Sequence, residues 1–362
     1  MKSKKKILVV LGTRPEAIKL IVLIQELKKR HDADVYICSS GQHREMLDSV
    51  LCEFNITPDY ELGVMRKDQT LASLTSLLTS ELDGVMEELC PDTLIVQGDT
   101  TTALCGALAA FYRAVPIAHV EAGLRSQNIR SPFPEEFNRR TISSIATLHF
   151  APTYASARNL LCEGVAAERI FTVGNTVIDM LQRTQGHAPD LRFSLNDKDF
   201  ALVTLHRREH SEHDIENILA SLRELSKEIR IILPMHKNPR VRSVIERELS
   251  GIDEITLCEP LGLKDFHFLM RSCYMILTDS GGIQEEATFL GKPTLVLRNT
   301  TERPEGVGAG ALRLVGTECE SILEEAHRLL YDQSSYAEMS VASNIFGDGH
   351  ASEKIADVLL NF

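Results

Sequence analysis

At 362 residues the chain is too long for one compact core, and its length predicts two domains of ordinary size. Hydrophobic residues make up 43% and charged residues 25% of the sequence, which is typical of a soluble globular protein. The net charge of -12 argues against a nucleic-acid-binding protein or a binder of anionic membranes, because a phosphate surface attracts a basic face. A pocket for one nucleotide needs only a few placed cations and is not excluded.

The eight cysteines are scattered singly and form no CxxC pair, which indicates neither a structural zinc site nor a disulfide framework. Reduced thiols in the cytoplasm are therefore expected. The basic start of the chain is followed by an apolar run that ends at Gly12, too short to predict a signal peptide. No apolar stretch is long enough to predict a membrane-spanning helix.

The first half of the chain alternates between short apolar runs and longer amphipathic segments. Strands are predicted at residues 7–11, 34–38, 93–96 and 114–120, and helices at 71–89 and 101–112. Strands that are separated by helical crossovers predict a parallel sheet covered on both faces.

Charged residues follow several of these predicted strands. Arg14 lies in the turn after the first strand, and Lys19 lies one helical turn further on. Asp99 and Glu121 end two neighbouring strands, and Glu135 opens a helix after a proline-braced segment. The carboxyl ends of parallel strands are where ligands bind in doubly wound sheets, so these groups are candidates for a shared site. Taken singly, each acid is more often a helix cap or a solvated charge than a catalyst, and Lys19 is equally well explained as a solvated helix charge.

A second alternating series begins after residue 172. Residues 171–179 are interpreted as the crossing to the second domain, and 184–198 as an irregular linker. Further strands are predicted at 200–205, 230–236, 255–257, 275–277 and 294–298. The two halves thus repeat one architecture without repeating a sequence.

The stretch from Asp279 to Glu286 carries a predicted strand directly into a helix. Gly281 and Gly282 at that turn let phosphates approach the backbone, where the N–H groups of the first helical turn bind anions. Glu286, one turn on, is suited to accept hydrogen bonds from a ribose diol. The simpler alternative is a tight strand-to-helix turn without a ligand. No GxGxxG follows the first strand, so a bound NAD is not supported, and nothing in the sequence requires a metal.

Together these motifs resemble the non-hydrolysing UDP-N-acetylglucosamine 2-epimerases. The matching segments are spread in order over almost the whole chain, which makes the set far more specific than any one motif. They are residues 12–19, 98–101, 119–125, 134–136, 206–209, 279–286 and 300–305.

The resemblance implies an α/β protein of the GT-B class, with two Rossmann-like domains whose parallel sheets face a central cleft. Residues 1–172 would form the N-terminal domain, which carries the acids around the sugar, and 173–345 the C-terminal, UDP-binding domain. A C-terminal helix within 346–362 would pack back onto the first domain. The resemblance also implies a cytoplasmic homodimer without a cofactor, which interconverts UDP-GlcNAc and UDP-ManNAc and supplies ManNAc units for cell-surface polysaccharide.

Roles carry over from the family onto the matching positions of this sequence. The diphosphate would be bound by Arg14, His206, Ser280, Gly281, Gly282 and Arg303. The ribose would be bound by Glu286 and the uracil by Phe266, with Leu261 also in the substrate-binding set. The catalytic set would be Lys19, Asp99, Glu121, Glu135 and His206, of which all but Glu135 would also contact the substrate.

Some family members are activated by their own substrate at a second site. Gln42, His43 and Arg44 match part of that regulatory site. Glu45 and Asp68 stand where glutamine and arginine are expected, so the resemblance leaves substrate activation open.

The implied chemistry is an elimination, because the C2–H bond of GlcNAc is not acidic. A base removes the C2 proton as UDP leaves C1, and UDP then adds back to the 2-acetamidoglucal with protonation on the other face. The alternatives are a hydrolysing epimerase that releases free ManNAc, an epimerase of a modified UDP-sugar, a GT-B glycosyltransferase and a non-enzymatic nucleotide-sugar sensor. A glycosyltransferase would need an acceptor groove and could dispense with three converging acids.

Overall fold

The computed structural model describes residues 4–42, 44–66, 68–195, 199–205, 210–235 and 239–362, with the backbone alone at 44–46 and 239–240. The chain divides into two compact units. Unit 1 comprises Met1–Arg183 and Gly347–Phe362, and unit 2 comprises Thr184–Phe346.

Unit 1 is built on a seven-stranded sheet in which every pairing is parallel. Its strands in chain order are β1 (Lys5–Leu11), β2 (Ala33–Ser39), β3 (Tyr60–Glu61), β4 (Thr93–Gln97), β5 (Ile117–Val120), β6 (Leu148–Ala151) and β7 (Ile170–Thr172). They lie side by side in the order β3-β2-β1-β4-β5-β6-β7. The direction of travel reverses between β1 and β4, which is where such sheets form a crevice for a ligand.

Helices cover both faces of this sheet. They are α1 (Arg14–Lys29), α2 (Arg44–Glu53), α3 (Leu71–Leu89), α4 (Thr101–Tyr112), α5 (Glu135–Ile145), α6 (Tyr154–Cys162), α7 (Thr176–Arg183) and the C-terminal α15 (Ala351–Asn361). Leu8 and Val10 of β1 pack in one cluster with α3 and α4. Ile7 and Val9 point to the opposite face, since side chains alternate along a strand, and they are equally buried. The two-sided parallel sheet predicted from the apolar runs is confirmed.

The C-terminal helix α15 belongs to unit 1, where it contacts α1 and α7. The buried Asp179 carboxylate of α7 accepts hydrogen bonds from the backbone N–H groups of Ala351 (3.2 Å) and Ser352 (2.6 Å). Those two groups open α15 and have no partner within the helix, so Asp179 provides the cap from a distant part of the chain.

Replacing Asp179 by Asn is expected to lower the free energy of unfolding by about 2 kcal/mol, because an amide accepts these two bonds less well and buries an N–H₂ group beside two donors. Urea denaturation measures the change. Asp332, an exposed N-cap whose carboxylate accepts from Ser334 N, is the control, since Asn caps equally well there. Equal losses for D179N and D332N would contradict this role for Asp179.

Unit 2 is built on a six-stranded sheet that is again parallel throughout. Its strands are β8 (Phe200–Thr204), β9 (Arg230–Pro234), β10 (Ile255–Cys258), β11 (Met275–Thr278), β12 (Thr294–Val296) and β13 (Leu312–Leu314), in the order β10-β9-β8-β11-β12-β13. Its helices are α8 (Glu212–Leu225), α9 (Pro239–Leu249), α10 (Leu263–Ser272), α11 (Gly281–Leu290), α12 (Pro304–Gly308), α13 (Cys319–Tyr331) and α14 (Gln333–Met339). Alternate residues of β8 enter two different core clusters, so this sheet is also covered on both faces. The order reverses between β8 and β11.

Some boundaries differ from those predicted. The strand predicted at 114–120 begins only at Ile117, because Ala114 has a left-handed backbone (φ 56°) in a turn after α4. In the described part of the predicted linker, 184–195, the chain forms neither helix nor strand, and Leu191 and Phe193 pack against the core of unit 2. The boundary between the two compact units lies after Arg183, and not after residue 172, because α7 packs on α1 and α15 of unit 1.

Within the described ranges, no helix combines the length and the apolar character that a bilayer requires.

Candidate active site

The first group of candidate residues lies at the carboxyl ends of β1, β4 and β5 in unit 1. Gly12 follows β1 and is required there, since a Cβ atom would lie 2.3 Å from Ser40 Oγ and 2.5 Å from Thr102 Oγ1. Arg14 opens α1 directly after this turn and is half-buried. Burial lowers the pKa of its guanidinium, and the nearby Glu53 opposes that shift.

The buried carboxylate of Glu16 joins the turns that follow β1 and β4. It accepts hydrogen bonds from the N–H groups of Gly12 (3.0 Å) and Thr13 (2.8 Å) and from the Thr100 hydroxyl (2.7 Å). Burial raises the pKa of this carboxyl, and the hydrogen bonds oppose that shift. The sequence pattern indicates Glu16 only as part of a helix start, whereas in the structure it links the turn bearing Arg14 to the turn bearing Asp99.

Glu121 lies just past β5 in a left-handed backbone conformation (φ 62°), which is unusual for a residue other than glycine and concentrates at functional sites. Its carboxylate accepts hydrogen bonds from Lys19 Nζ (2.5 Å), Gln97 Nε2 (2.5 Å) and Asn175 Nδ2 (2.9 Å). The side chains of Lys19 and Glu121 are 13% and 7% exposed. Lys19, for which a solvated helix charge was the alternative, is thus paired with a predicted site acid.

Asp99 lies in the turn between β4 and α4, and its side chain is 28% exposed. Arg139 Nη2 pairs with Asp99 Oδ2, and Asn138 Nδ2 donates to the Asp99 carbonyl (2.8 Å). Glu121 is close to this turn, because a Cβ atom on Gly98 would lie 3.3 Å from Glu121 Oε2. The prediction that these two strand ends share one edge of the sheet is confirmed by the pairing of β4 with β5.

Glu135 is the first residue of α5 and is half-buried. Its neighbour Glu136 is fully buried and accepts from Ser126 N (3.0 Å), Arg139 Nη1 (3.3 Å) and Arg140 Nε (2.9 Å). The two adjacent glutamates therefore differ in kind, since Glu136 anchors the helix while Glu135 keeps partial access to solvent.

Two buried histidines lie behind this edge on adjacent strands, in register as His119 and His149. His119 Nε2 bonds the Gly98 carbonyl (2.7 Å) and so supports the turn bearing Asp99. Burial lowers the pKa of His119 to about 3 and that of His149 to about 4. Both rings are therefore neutral at physiological pH.

The buried histidines predict acid lability. A histidine titrates near pH 6.5 when unfolded, so these lowered pKa values stabilise the folded state above that pH, and the contribution is lost as the pH falls towards 4. Between pH 7 and pH 5, His149 alone is expected to account for a loss of about 2 kcal/mol. Urea titrations of H149N should show a shallower pH dependence than the parent chain, whereas a variant of the exposed His350 should not. Identical slopes for parent and H149N would contradict this assignment.

The second group of candidate residues lies in unit 2, where β11 runs into α11. Ser280 is the N-cap residue of α11, its side chain makes no capping hydrogen bond, and the first turn contains no acid. The N–H groups of such a turn bind anions. Gly282 is open, since a Cβ atom added there would meet nothing within 4 Å.

Arg303 lies directly against the start of α11. A Cβ atom on Gly281 would lie 2.5 Å from Arg303 Nη1, so only glycine admits the guanidinium here. Arg303 Nε donates to the fully buried Glu285 carboxylate (2.8 Å), and the Glu302 carboxylate lies 3.6 Å from Nη1. The Arg303 guanidinium and the N-terminus of α11 therefore lie side by side, where both can contact the same anion.

A buried amide ties the loop of Arg303 to the same helix. Gln284 Nε2 donates to the Ser280 carbonyl (3.1 Å), and Gln284 Oε1 accepts from the Thr301 hydroxyl (2.6 Å). The Thr301 hydroxyl in turn accepts from Arg303 N (3.1 Å). The position of Arg303 is thus set from both its backbone and its side chain.

Glu286 is nearly buried and bonds His267 Nε2 (2.8 Å), while His267 Nδ1 bonds the Thr184 hydroxyl (2.8 Å). Phe266 and Leu261 are half-buried against the adjoining apolar cluster. No local pattern indicates His267 as the partner of Glu286, because 19 residues separate the two along the chain.

The remaining predicted residues are only partly described. Gln42 lies just past β2, and its Oε1 accepts from the Thr102 hydroxyl (3.0 Å). His206 and His43 lie outside the described residues, as does the side chain of Arg44. Among the residues that the structure does describe, no group of three or more His, Cys, Asp or Glu side chains could hold a metal ion.

A family model and a curated relative both match nearly the whole chain. A family model described as UDP-N-acetylglucosamine 2-epimerase matches residues 25–360. A UDP-N-acetylglucosamine 2-epimerase of Bacillus subtilis is 47% identical over 363 residues, which cover 99% of this chain and 96% of that protein.

Solved structures also match this chain over almost its whole length. The crystal structure of the UDP-GlcNAc 2-epimerase of Neisseria meningitidis, bound to UDP-GlcNAc, has a TM-score of 0.93 at 43% identity and covers 99% of this chain and 100% of its own. The enzyme of Methanocaldococcus jannaschii, in complex with UDP-GlcNAc and UDP, has a TM-score of 0.86 at 33% identity, with the same coverage. These neighbours confirm the predicted GT-B fold class. The chain belongs to the UDP-N-acetylglucosamine 2-epimerase family.

Proposed function

We propose that this chain interconverts UDP-GlcNAc and UDP-ManNAc without hydrolysis, by elimination of UDP and its re-addition. The observation that carries the proposal is the presence on one chain of two complementary groups of residues. Unit 2 offers a helix N-terminus with Arg303 laid against it, and unit 1 offers carboxylates that are each held by a cation. The first suits a diphosphate leaving group and the second suits proton transfer.

Most of the proposed nucleotide ligands belong to unit 2. Ser280, Gly281 and Gly282 would meet the diphosphate with backbone N–H groups, and Arg303 would neutralise part of its charge. Glu286 would accept from the ribose, and Phe266, with Leu261 nearby, would pack on the uracil. Arg14 and His206 complete the proposed diphosphate ligands. Charge grows on the diphosphate as the C1–O bond breaks, so these groups would stabilise the transition state more than the bound substrate.

The sugar would react at the acids of unit 1. A carboxylate removes the proton from C2, the C2–H pair forms the C1=C2 bond, and the C1–O pair leaves with UDP. In the reverse sense, a UDP oxygen attacks C1 of the 2-acetamidoglucal while C2 takes a proton on the opposite face. Asp99, Glu121 and Glu135, with Lys19 beside Glu121, supply the proton-transfer groups. No redox cofactor is needed, since electrons return to the bonds from which they came.

An NMR time course with UDP-GlcNAc alone, in heavy water, tests this proposal. We expect UDP-ManNAc to accumulate to a constant ratio, with deuterium at C2 of both sugars and no free ManNAc. Release of ManNAc with UDP would instead assign the hydrolysing reaction. No turnover without an added acceptor would favour a glycosyltransferase, and a modified UDP-sugar should be tried in the same assay.

We further propose that the chain acts as a cytoplasmic homodimer that supplies ManNAc units for cell-surface polysaccharide. Helices α3, α4 and α5 pack in succession, and each carries exposed apolar side chains that a second copy could cover, among them Leu71, Phe111, Tyr112 and Phe137. Sedimentation at micromolar concentration should give twice the 40.3 kDa chain mass. A species of one chain mass would contradict the dimer.

A further inference from the structure

We propose that Arg139 is a positioning residue that aims the Asp99 carboxylate at the sugar. This inference rests on the proposed function. Arg139 lies on α5 and makes two ion pairs through different nitrogen atoms, Nη2 with Asp99 and Nη1 with Glu136 (3.3 Å).

The three side chains form a graded series from core to solvent. Glu136 is 0% exposed, Arg139 8% and Asp99 28%. Asp99 is the more accessible of the two carboxylates and can meet a substrate, whereas Glu136 is fully buried and cannot. A planar guanidinium bridges two carboxylates in one orientation, which a flexible ammonium group cannot do.

The backbone of the Asp99 turn is held by the same helix. Asn138 Nδ2 donates to the Asp99 carbonyl (2.8 Å), and the fully buried Glu136 also accepts from Ser126 N. Both the backbone and the side chain of Asp99 are therefore oriented by α5, the helix that begins with Glu135. A displacement of this helix would move two proposed catalytic acids together, and misplacement by about 1 Å can cost about 100-fold in rate.

The neighbouring Arg140 provides a matched control. It also pairs with Glu136, through Nε (2.9 Å), from the same helix, but within the described part of the chain no ion pair joins it to Asp99. R139M and R140M each remove one positive charge and one bond to Glu136, so an effect through helix stability alone would appear in both.

The experiment compares R139M, R139K and R140M in kcat, in UDP affinity by calorimetry and in thermal stability. We expect R139M to lower kcat about 100-fold with UDP affinity within about threefold of the parent, because Arg139 is not among the proposed UDP ligands. R140M should stay within about threefold in kcat. R139K, which keeps the charge but cannot bridge both carboxylates, should fall between them. Millimolar guanidinium should restore part of the activity of R139A but none of R140A.

Equal kcat values for R139M and R140M would overturn the inference, as would parent-like activity in R139M. A loss shared by kcat, UDP affinity and stability in both R139M and R139K would assign Arg139 to structure alone. If the parent chain exchanged no deuterium into C2, the proposed function would fail and this inference with it. A parent that exchanges while R139M matches R140M would leave the function intact and refute only the role of Arg139.

Discussion

Replacement of Glu121 by Gln is expected to lower kcat about 1,000-fold while UDP affinity stays within a few-fold of the parent. The Glu121 carboxylate accepts from three donors, Lys19, Gln97 and Asn175. A glutamine keeps the shape but cannot accept a proton, and its N–H₂ group would face a donor. The rate follows from the NMR assay with UDP-GlcNAc, and the affinity from calorimetry with UDP.

Glu163 is the control for this prediction. It also forms an ion pair in unit 1, with Arg125 (2.6 Å), but lies at the end of α6 and has no predicted site role. E163Q should keep kcat near the parent value. If E121Q lost UDP affinity to the same extent as activity, Glu121 would be a binding residue and not a proton-transfer group.

The second large effect is expected for Gly281→Ala, which should weaken UDP binding about 100-fold. The added methyl group would lie 2.5 Å from Arg303 Nη1 and 2.8 Å from its Cζ, so the guanidinium must shift away from Gly281. A strong charge-assisted contact with the diphosphate would then be lost. Calorimetry with UDP measures the effect, and thermal unfolding shows whether unit 2 remains folded.

Gly308→Ala is the matched control for Gly281→Ala, because a Cβ atom at Gly308 meets nothing within 4 Å and the residue is helical. UDP affinity should be unchanged there. Glu285→Gln tests the same position from the other side, since it weakens the 2.8 Å pair that orients Arg303. Parent-like UDP binding by both G281A and E285Q would exclude Arg303 as a diphosphate ligand.

The sequence predicts the elements of this fold better than it predicts their contacts. The run Ile7–Leu11 is apolar without alternation, which requires burial on both faces, and the helix predicted at 71–89 is α3 itself. Both are local properties. Boundaries are less secure where the backbone conformation changes within an apolar run, as at Ala114.

The pairings within the candidate site depend on strand order, which no local pattern contains. Lys19 reaches Glu121 across 102 residues, and Arg139 reaches Asp99 across 40. The chain positions of Lys19 and Glu121 indicate only that each lies near a strand end. The pairing itself requires knowing that β1 and β5 both flank β4.

Adjacent residues of one type are the hardest case. Glu135 and Glu136 are adjacent residues of the same type, yet Glu135 is half-buried and Glu136 is fully buried. The spacing of Glu136, Arg139 and Arg140 at i, i+3 and i+4 is the signal that could have separated them, because such residues share one face of a helix.

The return of α15 to unit 1 has a consequence for how the protein is made. Unit 2 is one uninterrupted segment, Thr184–Phe346, whereas unit 1 is assembled from two segments on either side of it. During translation, all of unit 2 is synthesised before the last segment of unit 1, so unit 2 can fold first. The Asp179 carboxylate gains its two hydrogen-bond donors only when Ala351 and Ser352 have been synthesised. A gene fragment that encodes unit 2 can therefore be one continuous stretch, whereas a fragment for unit 1 must join two separate stretches.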